Sequence, residues 1–259
     1  MCKNRFLLTL AALCLLLVAA ACSSSSNTQE STEANPALPG FDVENSDPKA
    51  IAIADEVMEA MGGRKNWDNT RYISWDFFGR RSLLWDKWTG DVRIDNLDGA
   101  FNILVNIHNL EGQAKDSGQV VTHPDSLVKR MKRGLEIWIN DSYWLVMPFK
   151  LKDPGVTLTY VGEDSTQTGE AADLLELRFK DVGLYPQHKY RVWVNKETKL
   201  VTQWSYYPEA SLEEPRFVNP WQEYQRYGNI LLSGKRGENR YMGNIQVRDS
   251  MDRTPLEQL

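Results

Sequence analysis

From Thr70 onward the chain alternates apolar and polar residues at period two. Ile73, Trp75 and Phe77 point one way, and Tyr72, Ser74 and Asp76 point the other. Short turns separate the runs that follow: Arg81 to Trp88 turns at Thr89-Gly90-Asp91 into Val92 to Leu97, which turns at Asp98-Gly99 into Ala100 to His108. Connections this short leave no room for a crossover helix, so successive strands must be antiparallel neighbours. Further strands are expected at Ser142 to Met147, Val156 to Val161, Asp173 to Phe179, Lys189 to Asn195, Leu200 to Tyr207, Trp221 to Tyr227, Asn229 to Ser233 and Met242 to Val247. The result is a mainly β (α+β) chain. With about eleven or twelve strands and no β-α-β alternation, it reads as one strongly curved antiparallel sheet, a half-barrel.

Two helices interrupt this pattern. Asp47-Pro48 is a cap followed by a first-turn proline; Ala50, Ala54, Val57, Met58 and Met61 form an apolar face, and Gly62-Gly63 ends it. The second is expected over about Asp125 to Ile139, with Leu127, Met131, Leu135 and Trp138 on one stripe and Lys129, Arg130, Lys132 and Arg133 on a basic face opposite, read as solvated. Gly134 sits inside that stripe and weakens it as an unbroken helix. Asn140-Asp141 reads as the corner from this helix into the Ser142 to Met147 strand, and Pro148 and Asp153-Pro154-Gly155 turn the chain afterwards.

The N-terminus has the grammar of export. Lys3 and Arg5 precede an apolar run from Phe6 to Val18, Ala19-Ala20-Ala21 supply small residues, and Cys22 follows, ahead of four serines. The run falls short of the roughly 20 apolar residues of a spanning helix. It resembles a bacterial lipoprotein signal, which implies cleavage after residue 21 and acylation of Cys22. Residues 22–46, rich in Ser, Thr, Asn, Glu and Pro, read as a flexible tether, 47–250 as one β domain and 251–259 as a tail. Ser23 after the cysteine favours an outer-membrane destination, on either face.

Several chemistries are disfavoured by composition. Removal of residues 1–21 leaves 28 Lys+Arg against 35 Asp+Glu, a balance of −7, which argues against nucleic acid. The mature chain keeps no cysteine except Cys22, so disulfides and thiolate sites are excluded. His108, His123 and His188 have no metal-binding spacing, and no nucleophile elbow or phosphate loop occurs. No cofactor, metal or catalytic residue is expected. Asp86, Asp95 and Glu176 are the carboxylates that could converge as an acid/base pair, although exposed strand carboxylates are usually solvated.

Four segments carry a family resemblance: Met61-Gly62-Gly63 with Trp67; Ile73-Ser74-Trp75-Asp76-Phe77; Tyr143-Trp144-Leu145 through Gly155; and Val192-Trp193-Val194-Asn195 with Thr198-Lys199-Leu200-Val201. In order and motif the chain resembles bacterial lipoproteins of the outer-membrane lipoprotein-sorting (LolA/LppX-like) class. The resemblance implies a bent antiparallel sheet with helices in its concave side as a lid, and an apolar cavity for an acyl chain or other lipid. By alternation the candidate lining is Ile73, Trp75, Phe77, Phe101, Ile103, Val105, Tyr143, Leu145, Leu175, Leu177, Val192, Val194 and Trp204, with Leu127, Met131, Leu135 and Trp138 from the lid. Expected partners are a lipid or acyl chain, the membrane through the anchor, and an envelope protein. Two other readings stay open: a glycan-binding or glycan-hydrolysing protein, suggested by 27 Trp, Tyr and Phe residues, and a solid envelope scaffold.

Overall fold

The computed structural model describes residues 34–259; the export signal and Cys22 lie outside the described residues. The first helix, α1 (Pro48–Ala60), buries Ala50, Ile53, Ala54, Val57 and Met58. Asp47 does not cap it. Its carboxylate instead accepts from the Tyr160 backbone N–H at 2.8 Å, so the side chain read as a cap fastens the helix start to a strand. Gly62, at φ +116°, ends the helix where a Cβ would lie 2.3 Å from the Asn229 carbonyl oxygen, a separation only glycine permits. A short helix α2 (Arg64–Asn69) follows and buries Trp67.

A meander then runs through β1 (Tyr72–Phe77), β2 (Arg81–Asp86), β3 (Asp91–Asn96), β4 (Phe101–Asn106), β5 (Gly112–Asp116) and β6 (Gln119–Val120). Each pairs antiparallel with the next. The inward residues Ile73, Trp75, Phe77, Leu83, Trp85, Val92, Ile94, Ile103 and Val105 are buried, as alternation requires.

Next comes α3 (Pro124–Val146), continued by a 3-10 turn at Met147–Lys150. Here the structure corrects the sequence reading. Ser142 to Met147 is not a strand; the helix continues through Asn140-Asp141, and Tyr143 and Leu145 are helical. A run of five large residues, Tyr143 to Met147, satisfies both periods, and the buried set Met131, Gly134, Ile137, Asp141, Ser142 and Leu145 shows that the helical one prevails. The buried stripe is therefore rotated from the expected Leu127, Met131, Leu135 and Trp138. Gly134 lies on it because a Cβ there would stand 2.9 Å from both Ile103 and Val105, so its lack of a side chain lets the helix press onto β4. Asp141, fully buried, takes a bidentate grip from Arg81 of β2 at 2.5 and 2.9 Å. Burial pushes its carboxyl above the ordinary value in spite of that arginine.

The second meander comprises β7 (Val156–Ser165), β8 (Ala171–Phe179), β9 (Lys189–Asn195), β10 (Val201–Tyr207) and β11 (Phe217–Pro220). A hairpin of β12 (Gln222–Tyr227) and β13 (Ile230–Lys235) is followed by β14 (Met242–Arg248), which returns to pair with β1. Among the described residues the fourteen strands thus form sheets of seven, five and two rather than a single curved sheet of about eleven, and they do not close into a barrel. One continuous apolar cluster nevertheless draws residues from the seven-stranded sheet, the five-stranded sheet, α1 and α3.

Both ends of the described chain are fastened to this body. Leu38 N and Asp42 N donate to the carbonyls of Lys152 and Val156, and Phe41 is buried, so residues from 35 onward are hydrogen-bonded along the domain rather than free. At the other end α4 (Thr254–Glu257) lays Leu256 on Tyr72 and Leu104. Arg253 reaches Asp86 and Asp91. Burial works to raise the Asp86 carboxyl, but hydrogen bonds from Arg71, the Trp88 N–H and Arg253 outweigh it and hold it below its ordinary value.

Candidate functional site

A hollow of about 600 Å³ opens between the C-terminal half of α3 and one end of the five-stranded sheet. α3 contributes Glu136, Trp138, Ile139, Asn140, Ser142, Tyr143 and Trp144, and the sheet contributes Val156, Phe179, Tyr190, Trp204, Tyr206 and Phe217. The β8–β9 connection closes over it with Val182, Gly183, Leu184, Tyr185 and His188, and Lys150, Asp153 and Pro154 form the remaining edge. Its size lies within the range of sites for lipid-sized or drug-sized ligands.

Nine of the lining side chains are aromatic. Tyr190 and Trp204 stack at 5.4 Å with planes 6° apart, Tyr143 lies 5.2 Å from Tyr190, and Trp144 meets Trp204 edge-on at 4.8 Å. Phe179, Tyr206 and Phe217 extend the array, with Phe179 5.8 Å from Tyr190 and Tyr206 5.3 Å from Phe217. Burial pushes the hydroxyls of Tyr143 and Tyr190 well above the ordinary phenol value, so both are neutral. Three polar atoms of this wall, the Tyr143 hydroxyl and the indole N–H groups of Trp138 and Trp204, are buried without a hydrogen-bond partner. An acceptor brought beside any of them would relieve a desolvation cost of about 1–3 kcal/mol.

Three charged side chains line the hollow, Glu136, Lys150 and Asp153, and Glu136 pairs with Arg133 outside it. Lys150 pairs with Asp153, and His188 Nε2 lies 2.9 Å from the Tyr206 hydroxyl while its ring stacks on Tyr185 at 4.9 Å. Burial lowers the His188 pKa from its ordinary value, with the Glu209 carboxylate opposing.

Of the residues expected to line a cavity, Trp138, Tyr143 and Trp204 do so, and Phe77 borders a smaller adjoining pocket. Ile73, Trp75, Ile103, Val105, Met131, Leu145, Leu175, Leu177, Val192 and Val194 are packed in the solid core instead, each nearly or fully excluded from solvent. Phe101 and Leu127 pack at its margin, and Leu135 is half-buried outside it. The reason is position along the strand rather than choice of face. Phe179 shares a face with Leu175 and Leu177, Tyr190 with Val192 and Val194, and Tyr206 with Trp204. The same faces are filled at mid-strand and hollow at one end. Extending the alternation by a single step would have found Phe179, Tyr190 and Tyr206; the β8–β9 connection carries no periodic signal and was not foreseen.

The three carboxylates considered for acid/base work do not converge on the hollow. Asp86 is held by Arg71 and Arg253, Asp95 by Arg93, and Glu176 by Arg178 and Arg191. Among the described residues no group of His, Cys, Asp and Glu is placed to hold a metal ion, and no helix is long and apolar enough to cross a membrane.

No protein-family model matches the chain, and no curated protein matches it in sequence. In structure it is similar to a DUF1329 family protein from Desulfovibrio piger, at 13% identity and a TM-score of 0.43, covering 80% of this chain and 97% of the other. It is also similar to a LolA superfamily protein from Nitrosomonas europaea, at 11% identity and a TM-score of 0.42, covering 79% and 96%. A third neighbour is a domain described as an outer-membrane lipoprotein-sorting protein from Vibrio parahaemolyticus, at 8% identity and a TM-score of 0.40, covering 80% and 96%. The structural neighbours thus include the class that the sequence motifs resemble. Likenesses this loose carry no argument about function, which rests on the hollow itself.

Proposed function

We propose that this protein is a lipid-anchored envelope lipoprotein whose body binds an acyl chain or similar apolar ligand in the hollow beneath α3, without catalysing a reaction on it. The supporting observation is the hollow: about 600 Å³ whose wall includes nine aromatic and five aliphatic side chains. A chain entering such a space gains about 0.8 kcal/mol for each CH₂ withdrawn from water, so affinity needs no charged contact. Sugar stacking is less well served, because Tyr190 and Trp204 cover each other's faces and Trp204 is only 1% exposed.

The anchor is the part of the proposal carried by Cys22 and the apolar run before it. A Cys22→Ser chain is expected to leave the membrane fraction. Titration of the full chain with a fluorescent fatty acid tests the binding role. Saturable one-site binding that palmitate displaces is expected; absence of saturable binding would contradict the proposal.

A further inference from the structure

We propose that the ligand of the hollow is an amphiphile with an anionic end, and that Arg80 and Arg240 receive that end in the pocket adjoining the hollow. This deepens the apolar-ligand reading and rests on it. The smaller pocket, about 250 Å³, shares three of its walls, Asn140, Trp144 and Phe217, with the hollow. Those three side chains belong to both walls, so the two spaces are neighbours and a ligand in one lies close to the other.

Their electrostatics differ in kind. The one lysine at the edge of the hollow, Lys150, is already neutralised by Asp153. The smaller pocket has two arginines and no carboxylate in its wall, and neither arginine forms an ion pair with a described carboxylate. In a chain of net charge −5 this is a local excess of positive charge. Arg80 and Arg240 both border this space and both are solvent-exposed, so an anion can reach it from water and be attracted by each. Their fork of N–H donors matches the oxygens of a phosphate or a carboxylate. Arg240 is already oriented. It donates to Asn219 Oδ1 at 2.8 Å and stands 5.9 Å from the Trp144 ring and 6.0 Å from the Phe217 ring, the two rings that divide the pockets.

The backbone beneath the pocket adds an independent observation. Phe78 and Gly79 are the central residues of the turn in the three-residue connection between β1 and β2, with φ of +51° and +64°, closed by the Arg80 N–H on the Phe77 carbonyl at 2.9 Å. Such a turn favours Asn or Gly at the first position, and a bulky aromatic there holds a strained left-handed conformation. The strain places the Phe78 ring 4.1 Å from Phe77 and edge-on to Trp144 at 5.3 Å, which builds the pocket's floor next to Arg80. Strain retained for a ring in that position is a mark of a binding site.

Calorimetric titration of the full chain with dodecyl phosphate, dodecanol and inorganic phosphate tests the assignment. Dodecyl phosphate is expected to bind about tenfold or more tighter than dodecanol, since charge-assisted hydrogen bonds are added to the same tail. The Arg80→Gln/Arg240→Gln double variant should lose that preference and keep the wild-type affinity for dodecanol. Inorganic phosphate alone should bind at least about tenfold more weakly than dodecyl phosphate. Equal wild-type affinity for the two dodecyl compounds, or a preference that survives the double variant, would overturn the headgroup assignment while leaving the apolar hollow intact. Inorganic phosphate binding as tightly as dodecyl phosphate would overturn it in favour of a free-anion site. Failure of both dodecyl compounds to bind would overturn the hollow reading and this inference together.

Discussion

The two halves of α3 pack against their sheets in opposite ways. Toward the N-terminal half, Met131, Gly134 and Ile137 press into the seven-stranded sheet so closely that a single Cβ at Gly134 would meet Ile103 and Val105 at 2.9 Å. Toward the C-terminal half, Tyr143 and Trp144 face the rings of Tyr190, Trp204 and Phe217, and about 600 Å³ is left open. Branched aliphatic side chains interdigitate and fill space. Flat rings that prefer centroid separations of about 4.5–7 Å in stacked and edge-on pairs prop each other apart. One amphipathic helix thus borders a solid core toward one end and a hollow toward the other.

The sharpest way to break this comparison is to truncate one residue on each side. Ile103→Ala, on the filled side, is expected to cost about 2–5 kcal/mol in urea unfolding. Phe179→Leu, whose ring borders the opening, should cost less than about 1.5 kcal/mol. Equal losses would mean that the two halves are packed alike. Adding volume reverses the ranking. Val182→Phe extends into the hollow and is expected to weaken fatty-acid binding about tenfold with little change in the unfolding midpoint.

Gly134→Ala adds only one methyl, yet on the filled side. Its overpacking penalty of about 1–3 kcal/mol exceeds the roughly 1 kcal/mol that alanine gains over glycine in a helix, so a net destabilisation near 1 kcal/mol is expected from the same urea measurement. The smallest expected effect is one of pH. Burial, opposed by the Glu209 carboxylate, holds the folded pKa of His188 below the unfolded value of about 6.5. Folding is therefore undisturbed above that pH and loses stability as the pH falls from about 6.5 toward the folded value. Once corrected for the intrinsic pH dependence of amide exchange, protection of residues 180–188 should be weaker at about pH 5.5 than at about 7.5, that of β4 should not change, and His188→Gln should abolish the difference.

How far the sequence was legible follows the same division. The strand runs from β1 to β4 and from β7 to β10, their antiparallel pairing and their inward faces were readable because alternation and short turns are local signals. The number of sheets was not, since nothing local states that β10 pairs with β11 while β12 and β13 stand apart. Ser142 to Met147 misled because the same large residues suit either period, and only burial of the helical set resolves it. At the site, alternation picked the correct face of β8, β9 and β10 but stopped at Leu177, Val192 and Trp204, short of Phe179, Tyr190 and Tyr206, where the face opens. Depth along a strand depends on what the neighbouring helix presents, and that is settled by tertiary packing alone.

Native mass spectrometry of the full chain, purified from cell envelopes, tests most directly whether the hollow exists to hold a guest. A species carrying one lipid-sized molecule that departs on denaturation, and that is depleted in Val182→Phe, is the result this account predicts. A protein of bare mass in both chains, with no molecule released from either, would contradict it.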